Sequence, residues 1–181
     1  MKEPQERYYI AYGSNLHKEQ MSRRCPDARV VGTAWLRDWR LLFCGEPEGP
    51  AYLTIQPEEG CWTPVAVWAV SSQDEEALDW YEGYPTLYDK TDLELEVREA
   101  ATGERKNYPV FVYIMTEELW PGLPTKEYLQ TCAQGYEDFG FPMAILREAL
   151  DESRRRRSMP LPLEHPPPPE RQKSLEENRE L

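Results

Sequence analysis

Short runs rich in aromatic and branched side chains, broken by glycine, proline and acidic turns, fill the first two thirds of the chain. Residues 7–12 (Arg-Tyr-Tyr-Ile-Ala-Tyr) read as a buried strand that ends at Gly13. A short helix over about 16–24 is predicted next, with Ser14 or Asn15 as its N-cap. Strand-like runs follow at 29–35, 39–44, 52–55 and 65–70. Ser72-Gln73-Asp74-Glu75 has the spacing of a capping box and predicts a helix to Tyr81 or Glu82 that stops at Gly83. Two longer strands, about 88–98 and 106–115, are joined through Thr102-Gly103-Glu104 as a hairpin. The period then changes. Thr125 is placed to cap a helix in which Tyr128, Leu129, Cys132, Ala133 and Tyr136 recur at helical spacing. A last helix after Pro142 buries Ile145, Leu146, Ala149 and Leu150. Strands first and helices last give the α+β class.

From residue 151 the composition shifts to an arginine run at 154–157, a proline run at 166–169 and no aromatic side chain. That divides the chain into a domain over 1–150 and a charged, proline-rich tail over 151–181 that reads as disordered; a docking peptide or basic anchor is the alternative. The tail carries seven basic and seven acidic side chains, so the formal net charge of −12 belongs wholly to residues 1–150. Such an acidic body repels a phosphate backbone, which argues against nucleic acid as a partner.

With 181 residues, 40% of them hydrophobic, the chain can build one real core. No apolar run reaches bilayer length, so no membrane partner is expected, and the charged N-terminus has no signal-like apolar stretch; a cytoplasmic location is the expectation. Cys25, Cys44, Cys61 and Cys132 form no C-x-x-C and are expected to be free thiols that fill gaps. His17 and His165 are the two histidines, so no metal site is expected. Trp35, Trp39, Trp62 and Trp68 read as core residues. Oligomeric state is left open.

The chain has no P-loop, no G-x-G-x-x-G and no G-x-S-x-G, which leaves acid–base help and positioning, without a cofactor, as the available chemistry. Two places suit it. Glu82 sits in the last turn of a predicted helix, where the dipole disfavours a carboxylate, and Trp80, Tyr81 and Tyr84 are placed to desolvate it. Both effects raise its pKa toward that of a general base, although an exposed acid at a helix end is the plain alternative. At Tyr12-Gly13-Ser14-Asn15 a strand enters a helix and turns several backbone N–H groups toward one place, as a carboxylate or oxyanion requires. An ordinary strand-to-helix turn is the alternative there. Ser14 and His17 share that loop, but no orienting acid is evident for a nucleophile–base pair.

These segments carry a resemblance. Tyr12-Gly13-Ser14-Asn15-Leu16 after an aromatic strand resembles the signature loop of the γ-glutamylcyclotransferase family, which includes the AIG2-like proteins. Trp80-Tyr81-Glu82-Gly83-Tyr84-Pro85 resembles the segment holding that family's catalytic glutamate, and Tyr88, the strand at 112–116 and the helices over 128–150 follow in order. The resemblance covers about residues 7–150 and implies a mixed, barrel-like β-sheet with short surrounding helices. It implies Glu82 as the catalytic acid/base and Tyr9, Ile10, Ala11, Tyr12, Gly13, Ser14 and Asn15 as the substrate-holding segment. Tyr128 matches a tyrosine that contacts substrate, and Tyr88 and Tyr113 match positions near the glutamate. The activity implied is release of 5-oxoproline from a small γ-glutamyl amino acid or amine. Removal of a γ-glutamyl protecting group from a biosynthetic intermediate, or ligand binding without turnover, are the alternatives. Two positions depart from the pattern. Val65 stands where many members have glycine, and Asn15 stands where the glutathione-specific branch usually has leucine, which disfavours glutathione.

Overall fold

The computed structural model describes residues 5–116 and 119–159. His165, the proline run and the rest of the tail beyond residue 159 lie outside the described residues. Strand β1 (Arg7–Ala11) lies antiparallel to β3 (Tyr52–Val70) and parallel to β5 (Arg105–Met115). β5 pairs antiparallel with β4 (Tyr88–Glu99) as the expected hairpin. β4 meets β2 (Arg29–Gly45) at Gly32 and Thr33, and β2 pairs with β3 to close the ring. The result is a closed mixed barrel of five strands, with the short β6 (Trp120–Pro121) added to the end of β2 at Cys44 and Gly45. Closure leaves few unpaired strand edges.

The seam between β2 and β4 depends on Gly32. A Cβ at this position would lie 2.0 Å from the Arg98 carbonyl oxygen, so any side chain would force the strands apart. The core is apolar, with Ile10, Leu42, Leu53, Ile55, Val67 and Val112 all essentially without exposure. Burial of each such side chain contributes about 1.5–3 kcal/mol.

The four short strands expected over 29–70 are two long ones. β2 continues through its bulges between Val30 and Gly32 and between Arg37 and Trp39. At the second bulge Asp38 takes a positive φ of 63°, and its carboxylate accepts the Gly60 N–H at 2.9 Å, so the strand bends without ending. The polar stretch of β3 that reads as a turn is the exposed part of this arm. Trp35 and Trp62 stand on the same arm and are 45% and 50% exposed, outside the core where they were expected. Trp68 is buried and Trp39 packs against the core.

After β1 the chain makes a 3-10 turn (Ser14–Leu16) before α1 (Lys18–Arg24). Neither Ser14 nor Asn15 caps α1; the His17 Nδ1 does, accepting the Gln20 N–H at 3.2 Å. That ring nitrogen is thereby occupied in capping. α2 (Ser72–Glu82) has its capping box one residue earlier than expected, between Ser71 and Asp74, and ends at Gly83 with φ 64°. Thr125 caps α3 (Lys126–Phe139) as its place predicts. α4 (Met143–Arg157) runs past the compositional boundary at residue 151, because Ser153 is buried there and accepts the Phe43 N–H at 2.8 Å. Among the described residues, no helix is long and apolar enough to cross a membrane. The four cysteines are free thiols, Cys61 partly exposed and the others buried.

Candidate active site

One end of the barrel opens into a cavity of about 230 Å³. β1 and the turn after it supply Tyr9, Ile10, Tyr12, Gly13, Ser14 and Asn15; α2 supplies Tyr81 and Glu82; β4 and β5 supply Tyr88 and Tyr113; α3 supplies Tyr128. The structure therefore gathers at one cavity every site residue expected from sequence except Ala11, which is buried in β1 opposite Ala66 and stays out of the lining. Tyr52 also lines it, at the end of the 43–52 loop that the family resemblance places at the pocket, and Leu53 and Leu87 line it without having been expected. As aliphatic side chains Leu53 and Leu87 carry no chemical signal of their own; they reach the site because β3 and β4 begin beside it.

Among the described residues, Glu82 is the one carboxylate in this lining. It sits at the C-terminal end of α2, partly buried, with protein packed around its carboxyl group. Desolvation raises its pKa from 4.5 to about 7, and the charge of Arg24 pulls the other way. The Asn15 amide donates to Glu82 Oε1 at 3.3 Å and to the Tyr9 hydroxyl at 2.9 Å. Ser14 Oγ and the Tyr81 hydroxyl share a hydrogen bond of 3.0 Å. Ser14 and His17 thus have separate partners, and no nucleophile–base pair forms between them.

The tyrosines build the walls. Tyr12 donates to the Tyr113 carbonyl at 2.6 Å, and the Tyr113 hydroxyl donates to Asp79 at 2.6 Å, with Lys90 2.7 Å beyond. Tyr88 and Tyr128 hold the two ends of one residue: Tyr88 donates to the Leu53 carbonyl at 2.8 Å, while the Leu53 N–H donates to the Tyr128 hydroxyl at 3.0 Å. A hydroxyl that accepts there keeps its own proton to give, either to the Cys132 sulfur beside it or to a group in the cavity. Burial, more than any other cause, lifts Tyr9, Tyr12, Tyr88 and Tyr128 well above their ordinary pKa, so all four are neutral donors at physiological pH.

At the turn, the first hydrogen bond back along the chain runs from the Leu16 N–H to the Gly13 carbonyl at 3.0 Å. The N–H groups of Ser14 and Asn15 precede it and begin the turn beside the cavity. A Cβ on Gly13 would lie 3.4 Å from both Leu53 and the Tyr128 hydroxyl, so a larger side chain would occupy the floor. The mouth lies between Tyr52 and Tyr81, exposed by 37% and 38%. Among the described residues, no lysine or arginine lines the cavity. Among the described residues, no three His, Cys, Asp or Glu side chains come together where they could hold a metal ion.

A family profile described as gamma-glutamyl cyclotransferase, AIG2-like, matches residues 9–131. A Homo sapiens protein named gamma-glutamylcyclotransferase is 30% identical over 146 residues, which span 75% of this chain and 72% of that protein. A Bos taurus protein of the same name matches equally. A solved structure named gamma-glutamyl cyclotransferase has the same fold, with a TM-score of 0.64 at 21% identity, covering 96% of this chain and 99% of the other.

Proposed function

The chain belongs to the gamma-glutamyl cyclotransferase, AIG2-like family, and from that premise we propose that it cyclises the γ-glutamyl group of a small amino-acid or amine conjugate, releasing 5-oxoproline. The observation that carries this reading is the Glu82 carboxylate, set in a tyrosine-walled cavity with its pKa raised to about 7.

The chemistry asks little else of the protein. The substrate's own α-amine attacks its γ-carbonyl, so no protein nucleophile is required. Holding the chain folded for that attack recovers much of the roughly 7–11 kcal/mol that orientation can supply. The Ser14 and Asn15 N–H groups and the Tyr128 hydroxyl bind the glutamyl head or the developing oxyanion. Glu82, as carboxylate, takes a proton from the α-ammonium, whose pKa is about 8, and returns it to the departing nitrogen. The cavity suits a glutamyl-sized group, and the leaving half projects between Tyr52 and Tyr81.

The test is 5-oxoproline release from a panel of γ-glutamyl amino acids, γ-glutamyl amines and glutathione. Glu82→Gln should lower kcat by about 10²–10⁴-fold on the preferred member while the fold persists. Turnover within about tenfold of wild type would reject the shuttle. Binding of a γ-glutamyl conjugate without any product would make the chain a ligand-binding module instead.

A further inference from the structure

Arg24 stands at the end of α1, outside the cavity lining, yet its guanidinium reaches the wall in two ways. One nitrogen donates to Asn15 Oδ1, and the group lies over the Tyr81 ring with its carbon 3.4 Å from the centroid. Asn15 is buried, and its amide nitrogen serves both Tyr9 and Glu82. An amide has one accepting and one donating end, whereas a guanidinium only donates. With Oδ1 held by Arg24, the NH₂ end must face Glu82. In the flipped amide, Oδ1 would oppose the carboxylate and NH₂ would oppose the guanidinium, and both contacts would be repulsive.

We propose that Arg24 is a positioning residue of this site, locking the Asn15 amide as a donor to Glu82 and seating Tyr81 at the mouth. The inference rests on the reading of Glu82 as the proton carrier. A residue that only packed against α2 would need no charge and would leave the carboxylate's titration alone. Arg24 does not leave it alone. Among the described residues, the other titratable groups that face Glu82 are Tyr9 from β1, Tyr12 just past its end, Tyr88 from β4, Tyr128 from α3 and, on its own helix, Tyr81. Tyr113 of β5 shares the cavity, and burial raises its hydroxyl too. Against these uncharged side chains, the Arg24 cation is what opposes burial at Glu82.

The experiment uses the full chain with Arg24→Leu and Arg24→Lys. The Glu82 carboxyl is titrated by ¹³C NMR, its resonance assigned by loss in Glu82→Gln, and the pH profile of 5-oxoproline release is recorded alongside. Loss of a cation at this range raises a carboxyl pKa by about one unit or more. Arg24→Leu should therefore move the Glu82 midpoint up from about 7, carry the acidic limb of the rate profile with it and lower kcat by about tenfold. Arg24→Lys should return the midpoint close to wild type. A midpoint unmoved in a folded Arg24→Leu protein overturns the proposal, even if kcat falls, because a structural role alone would do that. Should Arg24→Leu fail to fold, Arg24→Gln removes the charge and keeps a donor, and its midpoint decides in the same way. If the wild-type chain makes no 5-oxoproline from any conjugate, the reading of the activity fails, while the carboxyl titration still decides whether Arg24 sets Glu82.

Discussion

Glu82 ionises near pH 7 in the folded chain, against the ordinary 4.5, so between these values the native state holds a proton that the unfolded chain has already released. Stability must then fall as pH rises through this window and level off above about 7. The raised pKa costs the neutral protein on the order of 3 kcal/mol at most. Glu82→Gln escapes this cost. The variant should melt several degrees above wild type at pH 8, and the gap should close by pH 4, where both side chains are neutral. A gap that is the same at both pH values would show that Glu82 does not titrate in this range. The position of the acid was legible in the sequence, from the helix end and the motif around it, but the cause of its burial was not. Trp80 is 86% exposed and Tyr84 is also exposed, so of the expected neighbours Tyr81 alone lines the cavity. Side chains one or two apart on a helix do not face each other, and the desolvation comes from tyrosines on β1, β4 and α3. Arg24 was equally hidden, since Asn15 meets it only when the 3-10 turn folds back along α1, and Tyr81 only when α1 and α2 pack together.

Elements defined by end signals were legible, and elements defined by their pairing were not. Gly83 stops α2 and Thr125 caps α3 where the chain says they should, because caps act locally. The β4–β5 hairpin likewise has its turn chemistry in sequence. β2 and β3 carry breaks in their apolar pattern that look like turns, yet the ladder between them continues through both bulges and only tertiary pairing reveals it. The same limit hid Gly135 in α3. A Cβ there would lie 2.5 Å from Leu16 Cβ and 2.8 Å from the His17 nitrogen, so the helix can press on the 3-10 turn only without a side chain. Helix propensity favours alanine over glycine by about 1 kcal/mol, whereas forcing a methyl into a closed contact costs about 1–3 kcal/mol. The second effect should win. Gly135→Ala is expected to lower unfolding free energy in urea and to raise KM, since Ser14 and Asn15 precede Leu16 in that turn. An alanine variant as stable as wild type, with the same KM, would mean that α3 does not hold the turn in place.

At the scale of the whole molecule, the barrel depends on α4 for more than a covering. Phe43, near the end of β2, packs edge-on against Tyr128 of the cavity wall, 6.5 Å between ring centres, and gives its N–H to Ser153 of α4. Three residues further along α4, Arg156 reaches Glu58 of β3 at 3.1 Å. Both contacts lie beyond residue 150, where composition alone would end the domain. They were not legible because a serine among arginines and acids carries the pattern of a solvated tail, and its burial follows only from the side of the barrel that α4 crosses. Without residue 153 the Phe43 N–H would be buried with no acceptor, at a cost of about 1–3 kcal/mol. The half-exposed Arg156 pair adds less than about 1 kcal/mol. A chain ended at residue 150 should therefore melt about 4–10 °C below one ended at residue 159, which keeps both contacts. If the two melt together, α4 beyond residue 150 contributes nothing to the fold. If the shorter chain melts lower and also binds γ-glutamyl conjugates more weakly, the path from Ser153 through Phe43 to Tyr128 joins the stability of the barrel to the shape of its cavity.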